Sequence, residues 1–317
     1  MGSIWRKTPL LHSDTMSTRL GCDVYLKLEN LQPPQSFKFR GISLFAQRAL
    51  EKYGPSVHLI VASGGNAAYA TSSAAKILNL RCTAYIPEAS KPFTSLLEAM
   101  GTKVVVGGVN YFAALQAAQQ AAEANNEAVL VPAYDHPTLW EGHSSMIDEI
   151  QDQLPSGVKP DAVLCSVGGG GLLGGVITGC DRVGWKDVPI VALETQGANC
   201  FYESMLANRT TESTKNASIA PASFTLDETY NVHIAHLNNV TSRAACLGAT
   251  SPSAGIVRMA LDRKSPVKCV CMSDQMSLTS AIKFSGQSQY QMSGLATHGL
   301  GGAFPLIFQT NTNSSLS

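Results

Sequence analysis

Apolar and polar positions along this chain alternate between two periods. Short β-branched runs occur at Val24–Leu28, Val57–Val61, Cys82–Ile86, Val104–Val106, Ala128–Val131, Ala162–Val167, Ile190–Leu193 and Lys268–Cys271. Between them lie longer, alanine-rich stretches with helical spacing, at Asn66–Leu78, Tyr111–Ala124, Thr138–Gln153, Gly171–Val183 and Ser251–Asp262. Alternation of side chains marks strands, and apolar positions three and four apart mark helices. The succession of the two predicts an α/β protein with two open, mostly parallel twisted sheets flanked by helices. In such folds ligands bind at the carboxyl ends of strands, where helices begin.

The chain has 317 residues, enough for one large domain or two modest ones and for a core that needs no disulfide or metal. Lys plus Arg and Asp plus Glu both number 23, and no basic run appears. That argues against nucleic acid or an anionic membrane as the main partner. No apolar run is long enough to span a bilayer. Met1–Lys7 has no apolar stretch after its charges, so no signal peptide is expected. Arg6 stands where a myristoylation signal needs Ser or Thr. A cytoplasmic location is therefore expected. The eight cysteines are scattered through apolar segments, which reads as reduced, buried thiols. Cys269-Val-Cys271 is too closely spaced for an ordinary zinc pair. The sequons at Asn208, Asn216 and Asn239 read as chance matches without a secretory signal.

Candidate chemistry changes the picture at four places. In Ser36-Phe37-Lys38-Phe39-Arg40-Gly41 a lysine lies between two phenylalanines. Poor solvation lowers an amine's pKa and makes it a Schiff-base nucleophile, although for this stretch alone a surface lysine with inward aromatics is the simpler reading. Ser63-Gly64-Gly65-Asn66-Ala67 follows a strand and opens a helix, which fits either an anion site or a plain helix start. Gly168-Gly169-Gly170-Gly171-Leu172 follows a buried strand. Four glycines in a row carry an entropic cost that a phosphate-wrapping loop would justify. No Gly-Lys-Ser/Thr follows, so this is no P-loop. A rival reading takes Gly169, Gly171 and Gly174 as a dinucleotide fingerprint with Glu194 on a ribose, as in an NAD-dependent dehydrogenase; it leaves Lys38 and the Ser63 loop unused. His136 and His143 flank Trp140-Glu141-Gly142 and read as helix-start packing rather than acid–base groups.

Taken together and in this order, these stretches resemble the L-serine/L-threonine dehydratases, pyridoxal-phosphate enzymes of the tryptophan-synthase-β fold type. Lys7-Thr-Pro-Leu10, Lys27-Leu-Glu-Asn-Leu-Gln32, Trp140-Glu-Gly-His-Ser-Ser145 and Leu247-Gly-Ala-Thr-Ser-Pro252 belong to the resemblance, which covers roughly Thr8 to Phe284. It implies pyridoxal phosphate held by Lys38, with Phe37 beside its ring and Asn66 on the ring hydroxyl. Gly168, Gly169, Gly170, Gly171 and Leu172 would cradle the phosphate. Ser63, Gly64, Asn66 and Ala67 would hold the substrate carboxylate, with Ala68 standing where the family has glycine. A potassium ion near Glu194 is implied by some relatives. The implied reaction is β-elimination on serine, and on threonine, to a 2-oxo acid and ammonia. A racemase or another β-elimination or replacement enzyme shares the same loops. The resemblance also implies a homodimer acting on a small amino acid. Residues 1–38 and 137–317 would form a large domain and 39–136 a small one, with the cofactor in the cleft between. The tail 285–317 turns polar and Ser/Thr/Asn-rich, is expected to be poorly ordered, and offers no clear Ser or Cys to face the ring nitrogen.

Overall fold

The computed structural model describes residues 2–209, 221–287 and 306–309. In chain order the first elements are β1 (Leu10–His12), α1 (Asp14–Leu20), β2 (Asp23–Lys27), α2 (Lys38–Tyr53), β3 (His58–Ala62) and α3 (Asn66–Leu78). There follow β4 (Arg81–Pro87), α4 (Thr94–Ala99), β5 (Lys103–Gly108), α5 (Tyr111–Glu123), β6 (Ala128–Val131) and α6 (Pro137–Gln153). The remainder comprises β7 (Ala162–Ser166), α7 (Gly171–Arg182), β8 (Ile190–Thr195), α8 (Cys200–Arg209), β9 (Ala222–Asp227), β10 (Val232–Leu237), α9 (Ala254–Asp262), β11 (Val267–Met272), α10 (Asp274–Gln287) and β12 (Leu306–Gln309). Each predicted strand and helix has its counterpart. Two compact units divide the chain: Met1–Lys7 with Asn30–Ser145, and Thr8–Glu29 with Met146–Ser317.

The first unit is built on a parallel sheet in the order β5-β4-β3-β6. Its inner strand β3 is buried from Leu59 to Ala62, which is why that run is apolar throughout rather than alternating. Ile60, Ala62 and Ala118 form a core cluster under α5, packed by Tyr85, Leu115 and Leu130. In α3 every residue from Ala67 to Ala75 is buried, and most are alanine or serine. Small side chains let neighbouring elements approach such a helix from all sides. The alanine run that marked this helix in the sequence is thus a packing device.

The second unit carries a six-stranded sheet in the order β1-β2-β12-β7-β8-β11. Its β7, β8 and β11 run parallel, while β1, β2 and β12 pair antiparallel. A separate antiparallel ribbon joins β9 to β10. The N-terminal strands are locked by a buried polar network. Lys27 Nζ donates to Glu149 at 2.6 Å and to the Thr8 carbonyl at 2.7 Å, while Thr8 Oγ1 donates to Glu29 at 2.6 Å. Removing one partner of such a buried pair typically costs about 3–5 kcal/mol.

The tail differs from its sequence-based reading at two places. Helix α10 runs to Gln287, and Leu306–Gln309 form a strand paired on both sides, to β2 and β7. The short apolar run Leu306-Ile307-Phe308 carries that strand signal, and the polar composition around it hid it. The other residues of 285–317 lie outside the described residues, as does the expected partner of a ring nitrogen. No helix among the described residues is long and apolar enough to cross a membrane.

Candidate active site

Lys38 is the first residue of α2 and is half-buried. The helix starts there because Ser36 turns back on it: Ser36 Oγ accepts from the Lys38 amide at 3.3 Å and the Ser36 carbonyl from the Phe39 amide at 3.2 Å. The Lys38 amine donates to the Ala133 carbonyl just past β6 at 2.7 Å and lies 5.7 Å from the centre of the Phe37 ring. Both flanking phenylalanines are buried. The side chain is therefore directed inward at the carboxyl end of the parallel sheet, where ligands bind in this class of fold. A freely solvated surface lysine is excluded.

The loop Ser63–Gly65 connects β3 to α3 at the same end of that sheet. Ser63 Oγ accepts from the Gly65 amide at 3.1 Å, and the Ser63 amide donates to the Tyr85 carbonyl at 3.0 Å. Ser63, Gly64 and Asn66 are half-buried, Gly65 is exposed, and Ala67 and Ala68 are buried. Gly64 is fixed by close approach, since a Cβ there would lie 2.2 Å from Ser90. The loop thus presents two short polar side chains at a helix start whose first amides have no intrahelical acceptor, an arrangement suited to a carboxylate.

In the second unit β7 leads into Gly168–Gly171 and α7. Gly170 caps that helix with φ +98°, a left-handed conformation that glycine adopts without strain. Its neighbours pack the loop from behind. A Cβ at Gly168 would lie 2.9 Å from the Leu247 carbonyl oxygen, and one at Gly170 3.1 Å from the Ile256 side chain. The Ser253 amide donates to the Gly169 carbonyl at 3.0 Å. Leu172, in the first turn of α7, is buried. The result is a glycine loop that offers only backbone groups at the positive end of a helix, an arrangement suited to a phosphate. The roles of Leu247, Ser253 and Ile256 were not legible beforehand, although the stretch Leu247–Pro252 stood out in the sequence.

Glu194 ends β8 with 1% of its surface exposed. Its two oxygens accept from the Phe201 and Tyr202 amides at 3.1 and 2.7 Å, at the start of α8. Burial nevertheless pushes its carboxyl well above the usual carboxylate range. A carboxylate enclosed in this way is not placed for a ribose, which removes the main support for the dinucleotide reading. His136 accepts from the Thr138 amide at 3.1 Å and caps α6. His143 is buried, its ring edge-on to Phe37 at 5.1 Å. Among the described residues no three His, Cys, Asp or Glu side chains cluster as metal ligands.

Comparison with known proteins adds identity to this geometry. Residues 3–275 match the family described as pyridoxal-phosphate dependent enzyme. A human protein named serine dehydratase-like is 41% identical over 203 residues, 64% of this chain and 60% of that relative. The chain therefore spans less than two thirds of that relative's length. The L-serine dehydratase/L-threonine deaminase of Bos taurus is 33% identical over 283 residues, 88% of this chain and 76% of the relative. Among solved structures, a fungal L-serine ammonia-lyase from Rhizomucor miehei superposes with TM-score 0.78 at 30% identity, covering 95% of this chain and 86% of that one.

Proposed function

We propose a function from one premise: the chain belongs to the family of pyridoxal-phosphate-dependent enzymes. The reading is β-elimination of water from L-serine, and from L-threonine, followed by hydrolysis to pyruvate or 2-oxobutyrate and ammonia. One observation carries it: an inward lysine amine at the start of α2, in a chain that also holds a backbone-only glycine cradle at the start of α7. The names of the human, bovine and fungal relatives support the choice of substrate.

Bound pyridoxal phosphate supplies an electron sink that stabilises negative charge at the substrate Cα. Lys38 would hold it through its amine, the amides of Gly168–Leu172 would bind its phosphate, Asn66 would meet the ring hydroxyl, and Phe37 would cover one side of the ring. Ser63, Gly64, Asn66 and Ala67 would bind the substrate carboxylate and so orient its Cα–H bond. Lys38, displaced by the substrate amine, would then accept the Cα proton as general base. Phe37 and Phe39 are buried on either side of Lys38, and the Phe37 ring lies 5.7 Å from its amine. In net terms the Cα proton taken by Lys38 and the β-hydroxyl would leave together as water, and hydrolysis of the product would release ammonia and the 2-oxo acid.

In this reading residues 39–136 are the family's small domain and the protein is a cytoplasmic homodimer. Potassium at Glu194 belongs to the same reading. A buried carboxyl that desolvation pushes up is one that a monovalent cation would hold ionised. Replacing potassium by sodium should then lower the rate. The main test is an amino-acid panel scored for keto-acid release, together with the visible band of the purified protein. Serine should give pyruvate, borohydride should abolish the band, and Lys38→Ala should lack both. A colourless protein after incubation with excess pyridoxal phosphate, or D-serine formed in place of pyruvate, would sink the reading.

A further inference from the structure

The amides of Lys38, Phe39 and Arg40 open α2 with no carbonyl one turn back, and Gly41 is the first residue whose amide ordinarily bonds back one turn, to the Phe37 carbonyl. Three are met locally: Lys38 by Ser36 Oγ at 3.3 Å, Phe39 by the Ser36 carbonyl at 3.2 Å, and Arg40 by the Phe37 carbonyl at 3.0 Å. With the Phe37 carbonyl engaged by Arg40, the Gly41 amide is met from another helix. His143 Nδ1, on α6, accepts from the Gly41 amide at 3.2 Å. The reach is possible because the two helices touch backbone to backbone. A Cβ on Gly142 would lie 2.6 Å from Gly41 Cα, and one on Gly41 would lie 2.6 Å from His143 Cε1. The same imidazole stands edge-on to the Phe37 ring, with centroids 5.1 Å apart and planes at 70°.

We propose that His143 is a positioning residue for Lys38: its neutral ring caps the helix that begins at Lys38 and fixes Phe37, and together these set the direction of the Lys38 amine. Acceptance at Nδ1 requires the ring proton on Nε2. A protonated ring would turn a donor toward the Gly41 amide and break the cap. The surroundings enforce neutrality, since burial first, then Lys38 and Arg40, push the His143 pKa well below its ordinary value. A hydrogen bond with the Phe37 backbone works in the opposite direction and does not prevail. Lys38 and Arg40, both on α2, are the charged groups that act on this ring among the described residues.

The inference rests on the reading of Lys38 as the cofactor-bearing lysine, so its test carries one arm that needs no cofactor. Two variants separate the two contacts. His143→Phe keeps a ring against Phe37 and removes the acceptor, while His143→Asn offers Oδ1 near the place of Nδ1 and removes the ring. Amide exchange at Gly41 in cofactor-free protein should be slow in the parent, fast in His143→Phe and partly restored in His143→Asn. In protein loaded with pyridoxal phosphate, His143→Phe should lose about tenfold to a hundredfold in kcat per bound cofactor. KM for serine should change little, and the pH at which the visible band titrates should shift. His143→Asn should recover part of the kcat. A merely structural role would lower the melting temperature and cofactor content yet leave kcat per bound cofactor and the band unchanged. That result in His143→Phe, or parent-like Gly41 exchange, overturns the proposal. If the parent releases no keto acid, the proposed reaction fails while Gly41 exchange and the band titration still decide the role of His143.

Discussion

Two glycine-bearing loops, one in each unit, link a strand to a helix, and they solve the anion problem in opposite ways. Ser63–Gly65 offers side chains: a hydroxyl and an amide flank glycines, and nothing lies within 4 Å of a Cβ placed on Gly65. Gly168–Gly171 offers only backbone and is walled by the Leu247 carbonyl and the Ile256 side chain. The first loop is tight at Gly64 but open at Gly65, and gains specificity through its hydroxyl and amide. The second has no room and depends on its own backbone course. A phosphate that stays bound for the protein's lifetime suits the second, and a substrate that comes and goes suits the first.

The largest effect expected from breaking this contrast is in the walled loop. Gly168→Ala must displace a backbone carbonyl, and Gly170→Ala adds left-handed strain of about 1–2 kcal/mol to a tight contact with Ile256. Both should purify without the visible cofactor band. Retention of the band by Gly168→Ala would mean that the phosphate is held elsewhere. Next come Ser63→Ala and Asn66→Ala. They should keep the band but lose about tenfold or more in kcat/KM for serine, the size expected when one hydrogen bond to a charged group is removed. Unchanged kcat/KM in Asn66→Ala would remove that residue from the substrate site.

A smaller effect separates the two units by pH. His58, His136 and His143, all in the first unit, have pKa values lowered mainly by burial. For the fully buried His143 the sign is clear. Below its ordinary value of 6.5 the unfolded chain takes up a proton that the folded one refuses, so stability falls as pH drops. The loss should approach about 1.4 kcal/mol per pH unit until the folded group titrates. Thermal unfolding followed from about pH 8 to about pH 5 should show this slope in the parent and a shallower one in His143→Asn. Equal slopes would show that His143 does not titrate on unfolding. The smallest effect belongs to Gly65→Ala. With φ −128° and open space, it should shift stability by no more than about 0.5 kcal/mol and leave the band intact, as thermal melts and spectra would show.

Much of this was legible because local chemistry and global placement agree. The parallel β3 has to be buried on both faces, so its apolar run is unbroken and marks the strand in the sequence alone. The tetraglycine stretch is equally legible, because a chain gives up four successive side chains only where the bare backbone itself is put to use. Helix α2 was not. It opens after Pro33-Pro34 and buries Arg40 and Gln47, so its apolar period is masked by polar residues whose partners lie far along the chain. The capping role of His143 was invisible for the same reason: Gly41 and His143 are 102 positions apart, and only the crossing at Gly142 brings them together. In the second unit, β9 was overlooked although Phe224 and Leu226 alternate with polar residues as a strand's should; both are exposed, and the strand pairs only with β10.

One strand has a consequence for how this protein is made. Leu306–Gln309 lies between β2 and β7, pairing with residues near the beginning and the middle of the chain. During synthesis β2 leaves the ribosome long before β12, which pairs with it. Until then both β2 and β7 present an open edge, the kind of surface on which nascent chains stick to one another or recruit a chaperone. The sheet of the larger unit therefore cannot close until Leu306–Gln309 have been made. A message truncated between codons 288 and 306 would encode every candidate site residue named here and still yield a polypeptide with two unprotected edges.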